Sequence, residues 1–175
     1  MAAFSHREKL GEICDNLQEE IGAMLGHLLQ EAKCESPIEE IMFLSLYTRF
    51  KFLRDAPFVF MGHDLNTNFA NSYGVMQLYS QVQIADYRVD FLLRTPVGDG
   101  KSVNFVIECD GHEFHERTKE QAARDRARDR KLQSLGYTVF RFTGSEIWRS
   151  ANKCAYEIMG AFCKKVTVAM LGEEE

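Results

Sequence analysis

Three carboxylates carry spacing that suggests chemistry. Asp90 lies in YRVDFLL, and Glu108 and Asp110 lie two residues apart in VIECDG. Both segments alternate as strands do, and Gly98-Asp99-Gly100 between them marks a hairpin turn. Read as a three-residue loop, this turn pairs Val97 with Lys101. The register then sets Asp90 opposite Glu108 and Arg88 opposite Asp110. Directly opposed Cβ atoms lie about 5 Å apart, and facing carboxylates repel unless a proton or a cation neutralises them. An all-oxygen set suits Mg²⁺, Mn²⁺ or Ca²⁺, and the Cys109 carbonyl between two of the carboxylates is a further candidate ligand. The plainer alternative is a solvated face on which Arg88 balances the charge.

Further candidates follow the second strand. His112 and His115 in DGHEFHER stand just beyond its end, where open α/β sheets bind ligands, and suit acid–base work or phosphate binding. The charged stretch from Glu116 to Lys131 is basic on balance, whereas the whole chain carries a net −5. Lys119, Arg124 and Arg128 are its candidate phosphate contacts, and Arg124 and Arg128 share a helical face. The alternative is a solvated helix laced with i,i+4 pairs.

The elements that position these residues can be read along the chain. Leu10, Ile13, Leu17, Ile21, Met24 and Leu28 form one stripe of an amphipathic helix from Ser5 to Lys33. It either covers the body or pairs with a second copy of the chain. Residues 1–33 are thus an extension, and 34–175 a single domain. Ser36, Pro37 and Glu39 make the N-cap, first position and capping box of a second helix, with Ile41, Leu44 and Phe52 on its apolar face. Residues 61–74 read as irregular. Met76, Leu78, Ser80, Val82 and Ile84 alternate with polar residues in a strand. Next come the hairpin, in which Val89, Phe91 and Leu93 share one face, and a charged helix from Thr118 to Leu135, stopped by Gly136. A strand at YTVFRF precedes a last helix that uses Ile147, Tyr156, Ile158, Met159 and Phe162. The order α-α-β-β-β-α-β-α, with a βαβ unit at its end, predicts an α/β fold whose mixed sheet is flanked by helices.

Composition narrows the classes. At 175 residues and 45% hydrophobic the chain can bury a core unaided. Its five cysteines are scattered, which argues against a disulfide framework or a zinc site and points to a reducing, cytoplasmic setting. The start lacks an apolar signal core and no run is long enough to cross a bilayer, so no membrane association is expected.

Taken together, YRVDFLL, VIECDGHEFHERT and RDRARDRKLQSLGYTVFRFTGSEIW resemble the PD-(D/E)XK nuclease superfamily, in particular the branch of very-short-patch repair endonucleases. The resemblance covers Ser36 to Trp148. It implies a restriction-endonuclease-like sheet and Mg²⁺- or Mn²⁺-dependent hydrolysis of DNA, with RNA also admitted as a partner. Asp90 would match the metal-binding aspartate, Glu108 the acidic residue of the (D/E)XK half, and Glu39 the helical glutamate near the metal. That last role competes with Glu39 as a capping residue. The usual lysine is replaced by Asp110, a carboxylate that cannot steady a developing anion. His115 or Lys119 would supply the missing cation. The substitution also admits an inactive nuclease fold that binds nucleic acid or a protein partner.

Overall fold

A computed structural model describes residues 6–51, 57–65, 72–111 and 119–172. In chain order its elements are α1 (His6–Ala32), α2 (Pro37–Lys51), β1 (Phe58–Phe60), β2 (Met76–Ile84), β3 (Tyr87–Gly98), β4 (Lys101–Asp110), α3 (Lys119–Ser134), β5 (Thr138–Thr143) and α4 (Gly144–Leu171). The sheet order is β1-β2-β3-β4-β5, and its middle is antiparallel. β1 joins β2 in parallel, and β5 joins β4 in parallel through α3. This is the α/β architecture with a mixed sheet and flanking helices that the sequence predicts, with β1 as an unforeseen edge strand.

Two apolar layers hold the sheet. One face packs Phe91, Leu93, Phe105 and Ile107 against Met42, Phe43, Leu46 and Phe50 of α2 and Ile147, Ile158 and Phe162 of α4. Each such side chain contributes roughly 1.5–3 kcal/mol by leaving water. The buried face of α2 is therefore Ile38, Met42, Phe43, Leu46 and Phe50, while Ile41 and Leu44 are only partly covered; Phe52 lies outside the described residues. On α4, Tyr156 is 60% exposed, with the Arg49 guanidinium over its ring, so it does not belong to the core as its spacing suggests. The other sheet face is smaller. There Leu132 of α3 meets Val89, Leu92 and Val106.

The strands depart from simple alternation where they matter most. Ser80 pairs with Phe91 and Val82 with Val89, and the step between them is occupied by Gln81 and Asp90. Gln81 has φ 50°, a left-handed conformation that breaks the alternation of side chains. Met76 and Leu78 consequently face α2, while Val82 and Ile84 join Tyr79 on the α3 face. Val89 likewise faces away from Phe91 and Leu93, contrary to the alternating expectation. The β3–β4 turn also differs: Asp99 and Gly100 both have positive φ, so the loop has two residues and Gly98 pairs with Lys101. An extra residue, Val97, is absorbed by a bulge, which restores the expected register from Pro96↔Ser102 to Phe91↔Ile107.

Candidate active site

β4 brings Glu108 and Asp110 to its C-terminal end, on the face toward α3. β5 lies alongside in parallel, with Arg141 in register with Glu108. Arg141 Nη1 donates to Asp110 Oδ1 at 3.2 Å, and Nη2 to Asp129 Oδ1 of α3 at 2.8 Å. From the same helix, Arg128 donates to Glu108 Oε1 at 2.6 Å and to the Arg88 carbonyl at 2.5 Å, with its guanidinium over the Tyr87 ring. The expected Arg88–Asp110 pair is not formed. Arg88 is paired with Gln83 across the sheet and bonds Glu35 instead, outside the β3–β4 pairing that stops at Phe91↔Ile107.

Asp90 occupies the gap where β3 and β4 part. The β3–β4 pairing ends at Phe91↔Ile107, and beyond it the Cys109 N–H donates to Asp90 Oδ2 at 2.7 Å. The carboxylate thereby replaces a backbone carbonyl. Glu39 approaches from the α2 side. Its Oε1 accepts from Ser36 Oγ at 2.8 Å, and its Oε2 from the Glu35 N–H at 2.8 Å and Gln81 Nε2 at 2.7 Å. The capping role is thus real, although Glu39 reaches back one residue further than a reciprocal box requires. Gln81 Oε1, buried beside it, has no hydrogen-bond partner.

Burial dominates the electrostatics. Desolvation pushes the Asp90 carboxyl up to about 6, against the pull of the Cys109 N–H, and the Glu39 charge adds to the rise. Glu108 rises to about 8, first by desolvation and then by the Asp90 charge, despite the opposing guanidinium groups of Arg128 and Arg141. The Cys34 thiol is pushed to about 12 by burial and by Glu39 and Glu40, so it is inert as a nucleophile.

Glu108 and Asp110 share a face with Arg128; Asp90 sits between the strands; Glu39 stands on the far side. Among the described residues, no group of three or more His, Cys, Asp or Glu side chains is placed to hold a metal ion. The three carboxylates are near enough to perturb one another electrostatically, yet the cations now beside Glu108 and Asp110 are arginines. Arg124 is exposed on α3, whereas Arg128 is committed to Glu108. His112 and His115 lie outside the described residues, as does the side chain of Lys119. Arg141 is the functional candidate missed in the sequence. Its signal was available: in a parallel βαβ unit, alternation along YTVFRF sets Arg141 on the face of Glu108.

Residues 70–162, just over half of the chain, match the family model REase_MTES_1575, a restriction-endonuclease-like family. The chain belongs to that family. No curated protein and no solved structure matches it. The match supports a nuclease-like domain over residues 70–162, a range that contains β2 to β5. No described helix is long and apolar enough to cross a membrane.

Proposed function

We propose that the chain is a divalent-cation-dependent endonuclease that hydrolyses phosphodiester bonds in DNA, and that it is kin to the very-short-patch repair branch. The observation that carries this reading is the pair of desolvated carboxylates, half-buried Asp90 and buried Glu108, with Asp110 beside them at the end of β4 in a restriction-endonuclease-like chain. Their donor chemistry fits Mg²⁺ or Mn²⁺: hard oxygen ligands, like-charge crowding, and a buried amide oxygen on Gln81 that lacks a donor. Asp90, Glu108 and Asp110 would hold the ion, with the Cys109 carbonyl as a fourth oxygen and Glu39 behind them. When bound, such an ion supplies Lewis-acid polarisation of a phosphoryl oxygen and a bound water of lowered pKa.

The chain's own groups do the rest. Arg141, anchored by Asp129, is a fixed cation beside Asp110, where the family pattern would carry lysine. Arg128 holds Glu108 in the resting site and is the group a metal ion would displace. Arg124, with Lys119 and His112, would steady the phosphate backbone, and His115 would assist the attacking water or the leaving oxygen.

A second reading has its own support. The arginine pairs on Glu108 and Asp110 already neutralise the site, as a nuclease fold that only binds nucleic acid or a protein partner would require. A binding titration against DNA and RNA at several salt concentrations, with and without Ca²⁺, tests the main reading. Net charge is −5, so binding should be weak without the cation and strengthen with it, and each lost phosphate contact should lower the salt slope by about one unit. A chain with no salt-dependent binding of either nucleic acid in Ca²⁺ is not a nuclease.

A further inference from the structure

The chain's single tryptophan, Trp148, is 73% exposed. Indole rings are normally well covered in folded proteins, so a ring this exposed is free to take a partner. Its position suggests which one. α4 begins at the N-cap Thr143, and the next residue, Gly144, is buried against the end of β4. A Cβ added at Gly144 would sit 3.4 Å from the Asp110 carbonyl oxygen and 3.9 Å from the Gly111 carbonyl carbon. Trp148 stands one turn along the helix. Helical side chains lean toward their helix's N-terminus, which carries the ring toward the carboxylate end of the sheet.

The backbone beneath the ring is fixed. Ile147 is fully buried and Ala151 is buried beyond it, so both sides of Trp148 are anchored in the core. At Ser150 the helix is interrupted (φ −165°, ψ 77°), so the first turns of α4 form a separate short piece. Its outer surface presents Trp148 with the exposed Arg149 beside it. An aromatic plane followed in the chain by a cation, one helical turn from where Gly144 packs on the end of β4, suits one nucleotide: its base on the ring and its phosphate on the guanidinium.

We infer that Trp148 is a stacking platform for an unpaired base of the strand held at the carboxylates, and that the chain therefore selects single-stranded nucleic acid over intact duplex. This rests on the nuclease reading above. A base inside a duplex already has both faces stacked, so only an unpaired one can use the platform.

The single tryptophan makes the test direct. Its emission is titrated with a short single-stranded DNA, the RNA of the same sequence, the blunt duplex, and a strand of the same length lacking bases, all in Ca²⁺. Affinities for labelled strands are measured in parallel for Trp148→Ala and Trp148→Phe. The expected result is quenching by single strands and little by the duplex or the baseless strand. Trp148→Ala should lose about 5- to 100-fold in single-strand affinity, and Trp148→Phe should keep most of it. Because the side chain is exposed, both variants should melt with the wild type, so lost binding cannot be ascribed to lost folding. Equal quenching by duplex and single strand, or undiminished binding by Trp148→Ala, overturns the inference even if the chain cleaves DNA. Base-dependent quenching in a chain that cleaves nothing leaves the platform standing and removes hydrolysis instead.

Discussion

Replacing Asp90 by Asn should stabilise the protein at neutral and alkaline pH, provided no divalent cation is present. The Asp90 carboxyl is raised from 3.8 to about 6, mainly by burial. At about 1.36 kcal/mol per pKa unit, its ionised form costs the fold about 3 kcal/mol. Asn still accepts from the Cys109 N–H but loses the charge-assisted part of that bond, about 1 kcal/mol. A gain of about 2 kcal/mol remains, and relief of Glu108, whose carboxyl Asp90 also pushes up, adds to it. For a chain of this length that corresponds to about 4–8 °C in Tm. Because the folded pKa lies above the unfolded one, the folded state holds the proton more tightly. Wild-type stability should therefore fall as pH rises from about 4 to about 6, and the advantage of the variant should open over that window. Urea denaturation of both proteins at pH 4 and pH 7.5, with a chelator, measures it. A variant less stable than the wild type at pH 7.5, or an advantage that does not change with pH, would show that Asp90 is not a desolvated carboxylate.

Two other perturbations bear on neighbouring elements. Arg128→Met should cost about 3 kcal/mol at pH 9, where it strands a buried Glu108 charge, and less at pH 6, where Glu108 is protonated; urea titrations at the two pH values read the difference. The apolar stripe Leu10, Ile13, Leu17, Ile21 and Met24 of α1 is about half exposed along its length, so a homodimer through this helix is proposed. Sedimentation velocity should show concentration-dependent dimerisation that Leu17→Lys with Ile21→Lys abolishes without lowering Tm, and a wild type monomeric at high micromolar concentration would remove the idea.

Much of the scaffold is legible in the sequence because the signals are local and redundant. Ser36, Pro37 and Glu39 start α2 where capping chemistry says they must. β4 alternates without interruption, so Glu108 and Asp110 land on one face as read. The failures have a common cause, which is backbone irregularity without a residue signature. Gln81 adopts a left-handed conformation that its type does not advertise; beyond it Val82 and Ile84 fall on the other face, together with Val89, which pairs with Val82. The bulge at Val97 is hidden because a three-residue loop and a two-residue loop with a bulge give the same downstream register. β1 is three residues long, too short for periodicity to register. At the site, like-charge crowding marks the carboxylates and helical spacing marks Arg128 as a clamp, but neither names Glu108 as the partner of Arg128, and neither marks Arg141. Arg128 and Arg141 reach them from α3 and β5, and side-chain reach across elements is not encoded in spacing along one strand.

The claim that the carboxylates at the end of β4 form a hydrolytic metal site is tested most directly by cleavage. Purified chain is incubated with a mixture of supercoiled, linear and single-stranded DNA in Mg²⁺ or Mn²⁺, beside Asp90→Ala and a chelated control. The account predicts cleavage by the wild type that requires the cation and disappears in Asp90→Ala while the variant remains folded. Cleavage that persists in folded Asp90→Ala, or in chelator, contradicts it, as does a folded wild type that cuts none of the substrates with either metal.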